Sequence, residues 1–476
     1  MSTFAARQGP ASSAELEAVE TLAAELAPVF GDRLLTTASA RSRYAESEGH
    51  HAGHAPDLVV QPKSVAEVQA VVRAAGARGI PVVGVGASTS LEGNAAAAHG
   101  GLAVDLSRMD RIIELCPEDL LCVVEPGVTR EALNAALRGT GLFFPVDPGA
   151  NATLGGMLAT RASGTNAVRY GTMREQALAL EVVLADGTLI KTGTRARKSA
   201  AGYDLTHLFV GSEGTLGLIV GATLRLHGLP ETMLAATWDF ATLDGAVETV
   251  IATMQAGVPI ARIELLDSAA IRACNAYARL TLPERPTLFL EFHGSAASVD
   301  EQLALVEVIG REAGGGELAR AVEAEARSRL WKARHQALPA ARAMVPGAVT
   351  WVTDVCVPIS RLAKAIALVQ ADIAAAGLFA PILGHVGDGN FHVFFVLPPS
   401  DAAVWEKAAA INAAMVEHAI TAGGTATGEH GIGLGKKAAL LREHGPDAVA
   451  LMQCVKRAID PAGLLNPGKI FADYAR

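Results

Sequence analysis

Three observations predict an α+β or α/β chain. The first clear elements alternate as strand, helix and strand: Leu58-Val59-Val60, a helix over 64–78, and Pro81-Val82-Val83-Gly84-Val85. Short β-branched runs separated by glycine turns then continue to about Pro230. Beyond residue 231 the pattern changes to longer Ala/Leu/Glu helices between short strands, the mark of a second α+β domain. At about 150 residues per domain, 476 residues hold two or three domains. A 50% hydrophobic and 19% charged composition excludes global disorder.

Taken in order, the elements start with an acidic amphipathic helix opening at Ser12 or Ser13. No basic stretch followed by an apolar one precedes it, so no secretory signal is expected. No run of about 18 apolar residues predicts a transmembrane helix. Ser64 with Glu67 three residues on predicts a capping box. Strands are expected at 102–106, 121–125, 179–184 and 217–226, and Asp186-Gly187 suits a type I′ hairpin turn. Helices over 244–255 and 299–313 alternate with strands at 287–292 and 350–357, and 314–316 is a loop or strand entry. The net charge of -9 gives no nucleic-acid footprint, although a local basic pocket for an anion is compatible with it. Five cysteines without a C-x-x-C pair read as free thiols in a reducing compartment.

The 48 glycines exceed the average share of about 7% and concentrate in a few loops. Residues 83–90 follow a strand and present backbone N–H groups to an anion, but the third glycine of a dinucleotide fingerprint is missing at Thr89. Residues 145–166 are small and hydroxyl-rich between apolar runs, which suits an ordered ligand-lining loop. Gly211-Ser212-Glu213-Gly214-Thr215-Leu216-Gly217 is either a tight turn or backbone laid against a flat or anionic group. The most specific segment is Gly384-His385-Val386-Gly387-Asp388-Gly389-Asn390-Phe391-His392, a turn between apolar strands. If Val386 pairs with Phe391, His385 stands opposite His392, close enough for one metal. In Gly428-Glu429-His430-Gly431, Glu429 is a candidate third ligand and His430 a base beside it; otherwise this is a solvated turn.

Together with Arg197–Leu205 and Asn466-Pro467-Gly468-Lys469, these segments resemble the FAD-linked D-lactate dehydrogenase and glycolate oxidase D-subunit family of the vanillyl-alcohol-oxidase superfamily. The resemblance covers nearly the whole chain from about Asp57. It implies an α+β fold: a PCMH-type FAD-binding domain over 57–230, a substrate or cap domain over 231–426, and a segment over 427–476 returning to the first. Residues 1–56 are expected to be a helical N-terminal segment. It implies that Val83, Gly84, Val85, Gly86, Ala87, Ser88, Thr89 and Ser90 wrap the FAD pyrophosphate. Pro148, Gly149, Thr153, Gly155, Gly156, Ser163, Asn166 and Tyr170 would line the rest of the cofactor. Glu213, Gly214 and Ile219 would lie on the adenosine side and Asn466 near the isoalloxazine. With no histidine over 83–94, the FAD is expected to be non-covalent.

The resemblance also implies a divalent metal, zinc or manganese, on His385, His392 and Glu429, with His430 as base. Arg334, in Leu330-Trp331-Lys332-Ala333-Arg334-His335, would clamp the substrate carboxylate. The implied reaction is oxidation of a D-2-hydroxy acid, D-lactate foremost, to the 2-keto acid, with hydride passing from C2 to flavin N5. Members of the resembled family that take the dicarboxylate 2-hydroxyglutarate have an extra basic residue near the strand corresponding to 350–355; no Lys or Arg stands there, so the resemblance favours a monocarboxylate. The alternatives are an FAD-binding subunit of a multi-subunit glycolate oxidase, a D-2-hydroxyglutarate-type dehydrogenase, or a non-catalytic metal-binding protein. A quinone, a cytochrome or an electron-transfer flavoprotein would accept the electrons. The expected location is the cytoplasm or the periphery of the inner membrane, and a homodimer is compatible with these features.

Overall fold

The computed structural model describes residues 12–45, 48–51 and 53–471. They gather into two compact units. The first combines the chain up to Ser163 with Thr172–Gly228 and the segment from Glu429 onward; the second combines Gly164–Gly171 with Leu229–Gly428.

The first unit opens with the helix Ser13–Phe30, whose N-terminus carries the full Ser12/Glu15 capping box. Leu22, Leu26 and Phe30 recur every four residues and bury one stripe. Strands Leu34–Leu35, Leu58–Val60, Leu102–Asp105 and Val82–Val85 lie in that order in a four-stranded sheet. The last three are parallel, with the helix Val65–Gly76 as the first crossover. The capping box expected there is only half made. Ser64 Oγ accepts from Glu67 N, but the Glu67 carboxylate bonds Lys63 N at 2.7 Å and Arg33 Nη1 at 2.7 Å. The Arg33 fork takes both carboxylate oxygens and draws the side chain to the Lys63 amide rather than that of Ser64.

A five-stranded antiparallel sheet follows, in the order Ile112–Cys116, Leu121–Val124, Leu218–Arg225, Ala177–Val183 and Leu189–Gly193. Val183, Leu218 and Val220 pack with Val68, Val71 and Val72 into one core. The Asp186-Gly187 turn is not type I′. Only Gly187 has a positive φ, +78°, and Leu184 N bonds Thr188 O across three residues. Asp186 Oδ1 accepts from Thr188 N at 2.8 Å instead. The tail returns here: Val82 N donates to Leu464 O and Asn466 N to Val82 O, both at 2.8 Å. Asn466 is therefore stitched to the strand that leads into residues 84–90.

The second unit is built on an eight-stranded sheet. Its main order is Gly315–Ala321, Thr232–Phe240, Thr287–Gly294, Arg262–Leu266, Ile382–Gly384, Asn390–Leu397 and Val349–Val352, with Val355–Cys356 also on Asn390–Leu397. All of its pairings are antiparallel. Strand period two sorts the side chains. Ile263, Leu265, Leu290, Phe292, Phe391 and Val393 enter the hydrophobic core. Their alternates Arg262, Glu264, Glu291, His293 and His392 fall on the opposite face. Glu264, Glu291, His293 and His392 are buried there all the same. A buried sheet face lined with ionisable groups is expensive unless every group is paired, and it marks where to look for chemistry.

Candidate active site

In the first unit, the expected cofactor segments converge on close backbone approaches. The side chains of Val83 and Val85 are buried against Val59, Ala97 and Ala103, so only their backbone is available to a ligand. Gly84 lies within this strand and Gly86 just beyond it, and a Cβ on Gly86 would stand 2.3 Å from Thr153 Oγ1. Ala87, Ser88, Thr89 and Ser90 continue without regular structure, Ser88 in the left-handed region at φ 55°. The stretch from 154 to 160 is not loop, as the small residues suggested, but the helix Leu154–Thr160, capped by Thr153. Its Gly155 is required by packing, since a Cβ there would lie 2.5 Å from Pro126 Cβ. Tertiary contact thus overrides the poor helix propensity of Gly155-Gly156. Pro148 is half-buried and Gly149 exposed. The side chain of Ile219 belongs to the hydrophobic core, so it is the backbone there that is available to a ligand. Ser163 ends the first stretch of this unit.

Glu213 organises the neighbourhood. Its carboxylate accepts Asn94 Nδ2 at 2.7 Å, Ile432 N at 2.7 Å and Gly433 N at 2.9 Å. Burial raises this carboxyl above its ordinary range, against the hydrogen bonds from Ile432, Asn94 and Gly433. The side chain expected near adenosine therefore holds the loop that carries His430. Gly431, at φ +78°, must be glycine, because a Cβ would meet Glu213 Oε1 at 2.7 Å. Gly214 adjoins, and Asn466 Nδ2 donates to Asn94 O at 2.8 Å and Glu213 O at 2.6 Å. His430 Nε2 stands 3.8 Å from Glu429 Oε1.

Lys469 lies beside this network, 3% exposed, with Nζ on Ala96 O at 2.5 Å. Burial lowers its ammonium from 10.5 to about 7, Glu213 opposing and Lys437 adding to the shift. Between those two pH values the unfolded chain binds more protons, so stability rises with pH through that window and is lost as pH falls toward 7. Lys469→Met is expected to remove this component, of up to about 1.4 kcal/mol per pH unit. Urea midpoints of variant and wild type should differ most near pH 7 and converge toward pH 10; a gap independent of pH contradicts the assignment.

In the second unit, two side chains expected on the cofactor also bond side chains of this unit. Asn166 Oδ1 accepts Arg262 Nε at 2.9 Å, and Tyr170 OH bonds His293 Nδ1 at 2.8 Å. His293 Nε2 bonds Glu291 Oε1 at 2.8 Å, and Trp331 Nε1 donates to Glu291 Oε2 at 2.5 Å. The Arg262 guanidinium covers the Trp331 ring at 4.5 Å.

The histidine hairpin forms with a different register. Leu383, not His385, pairs with His392, and His385 lies in the turn after Gly384. The shift is two residues, so the face is unchanged. The rings meet edge-on, 5.5 Å between centroids. His385 Nδ1 bonds Glu264 Oε1 at 2.7 Å and His392 Nδ1 donates to Thr353 O at 2.9 Å. With Nδ1 of His392 protonated, its neutral ring carries the lone pair on Nε2. Glu429 is joined directly to Gly428, the last residue of this unit. Ligand atoms of His385, His392 and Glu429 lie within 4.8 Å of one another. This donor set of imidazoles and a carboxylate fits a divalent transition ion.

Arg334 is 6% exposed on the helix Ala324–His335, with Nε and Nη2 on Glu264 Oε2 at 3.0 and 2.5 Å. Asp354 accepts Asn390 Nδ2 and Thr427 Oγ1, both at 2.7 Å, tying the approaches to His392 and Glu429 together. The sequence reading missed Glu264, Arg262, Glu291 and Asp354. Alternation in Arg262-Ile263-Glu264 and Glu291-Phe292-His293 was the available signal.

Residues 229–470 match the family described as FAD linked oxidases, C-terminal domain, and residues 56–193 match the FAD binding domain family. The chain belongs to the FAD-linked oxidases. Among curated relatives of this FAD-linked oxidase, "Probable D-lactate dehydrogenase, mitochondrial" of Danio rerio is 50% identical over 96% of the chain and 93% of the relative. "D-lactate dehydrogenase (cytochrome), mitochondrial" of Arabidopsis thaliana is 43% identical over 95% and 80%. Glycolate oxidase subunit GlcD of Bacillus subtilis is 33% identical over 88% and 90%. The solved structure of p-cresol methylhydroxylase superposes with a TM-score of 0.81 at 20% identity, covering 98% of each chain. The fold is accordingly α+β with a PCMH-type FAD-binding domain, and the protein is an FAD-dependent oxidoreductase. The first unit suits that cofactor. Asn94 Oδ1 and Ser212 Oγ are buried there without a hydrogen-bond partner, and Gly149 leaves open space before its Cα.

Proposed function

We propose that this FAD-linked oxidase is a dehydrogenase of D-2-hydroxy acids, with D-lactate the foremost substrate. The 50% identity to the Danio rerio relative, spread over 462 residues, carries this reading. Bound FAD would accept the C2 hydride at N5, and a divalent ion on His385, His392 and Glu429 would act as Lewis acid on the 2-hydroxyl.

The chain's own residues have distinct tasks. Arg334 holds the substrate carboxylate through the part of its guanidinium fork that Glu264 leaves available. His430 takes the proton of the 2-hydroxyl as general base. The backbone of residues 84–90, with Thr153 and Gly156, would cradle the pyrophosphate, and Asn466 would lie near the flavin ring. Asp354, buried and ionisable where a basic residue would serve a second carboxylate, supports a monocarboxylate substrate.

The name of the Arabidopsis thaliana relative favours a cytochrome among the three acceptor classes. Relatives named as mitochondrial place this reaction in that compartment for them, and here a mitochondrial or inner-membrane-peripheral site is proposed over a purely cytoplasmic one. Among the described residues no helix is long and apolar enough to cross a membrane. The likeness to the Bacillus subtilis subunit supports a second reading, glycolate oxidation within a larger assembly. A dye-reduction panel of D-lactate, L-lactate, glycolate and D-2-hydroxyglutarate on the purified chain separates the readings. D-lactate is expected to reduce the dye fastest and L-lactate not at all; a preference for glycolate, or turnover only with added subunits, favours the second.

A further inference from the structure

We infer that Glu264 is a positioning residue that sets the metal-ligand histidine and the carboxylate clamp with one side chain, an inference that rests on the function proposed above. The strand Arg262–Leu266 pairs with Ile382–Gly384 as Leu266 to Leu383 and Leu265 to Gly384. Continuing this register by one residue sets Glu264 opposite His385, on the same face. The helix Ala324–His335 brings Arg334 to that face, with Trp331 one turn earlier. The result is a carboxylate, 1% exposed, with Oε1 on His385 Nδ1 at 2.7 Å and Oε2 on Arg334 Nε at 3.0 Å and Nη2 at 2.5 Å.

Only a carboxylate does this. Both neighbours are donors: the guanidinium is donor-only, and His385 needs an acceptor at Nδ1 if Nε2 is to carry the lone pair for an ion. A glutamine offers one acceptor and one donor, so it must turn its NH2 toward either Arg334 or His385. At this burial an unmatched donor or acceptor bears its full desolvation cost. Glu264 therefore fixes the tautomer and direction of one ligand and the orientation of the fork that meets the substrate. Ion binding and carboxylate recognition share one anchor.

The test uses full-length, FAD-loaded protein and compares wild type with Glu264→Gln and Glu264→Asp. Affinity for Zn2+ and Mn2+ is measured by chelator competition, KM and kcat with D-lactate by dye reduction, and folding by thermal melting and the flavin spectrum. Glu264→Gln is expected to lose roughly 10–100-fold in ion affinity and to raise KM about tenfold, with the flavin spectrum unchanged. Glu264→Asp keeps the charge and both acceptors and is expected to recover part of both losses. If Glu264→Gln fails to fold, the aspartate variant carries the test through a smaller loss in both quantities. Wild-type ion affinity and KM in the folded variants would overturn the inference while leaving the metal reading intact. A wild type that takes up neither ion overturns the metal reading itself, and this inference with it.

Discussion

His430→Ala is expected to lower the rate of flavin reduction by D-lactate about 10²–10⁴-fold, the range for loss of a positioned general base. Retention of FAD should be unaffected. The loop bearing His430 is held through its backbone: Ile432 N and Gly433 N bond the Glu213 carboxylate, and Asn94 Nδ2 reaches His430 O at 3.4 Å. None of these contacts uses the imidazole, so the substitution deletes the base and leaves the lock. Stopped-flow bleaching of the flavin checks the rate, and the visible spectrum of the same sample checks the cofactor. The loss should shrink at alkaline pH, where solvent base competes. A variant that reduces its flavin at the wild-type rate would remove His430 from the chemistry.

His392→Ala is expected to strip the divalent ion and to slow flavin reduction by about 10²–10³-fold. Lewis-acid stabilisation is worth several kcal/mol, and each 1.4 kcal/mol is tenfold. His392 is 4% exposed, its Nδ1 bound to Thr353 O, and it faces His385 edge-on at 5.5 Å. Metal content by elemental analysis should fall below one ion per chain while the flavin stays bound. A melting curve separates ligand loss from the cavity that a buried histidine leaves behind. Full activity with undiminished metal content would refute the site, and full activity without metal would refute the ion's part in the reaction.

Much of this architecture was legible in local chemistry. Capping at Ser12, the Leu58–Val85 strand-helix-strand unit and three of the strands of the five-stranded sheet, Leu121–Val124, Ala177–Val183 and Leu218–Arg225, follow from caps and β-branched runs. So does the pairing of chemistry in the Gly384–His392 hairpin, where a register wrong by two residues still kept both histidines on one face. What stayed hidden depended on long-range packing. The helix Leu154–Thr160 contains two glycines that local propensity argues against, and only Pro126 explains one of them. Glu213 and Glu264 each serve partners more than 100 positions away, at Ile432 and His385. The bonds of Asn166 to Arg262 and of Tyr170 to His293 likewise join positions about 100 or more apart.

The most direct test of the account is anaerobic mixing of the purified, FAD-loaded chain with D-lactate and, separately, L-lactate, followed by flavin absorbance. Complete bleaching by D-lactate alone is expected, with stoichiometric 2-keto acid, slowed by prior chelation and restored by Zn2+ or Mn2+. A flavin that D-lactate leaves oxidised, or that both enantiomers bleach equally, would contradict it.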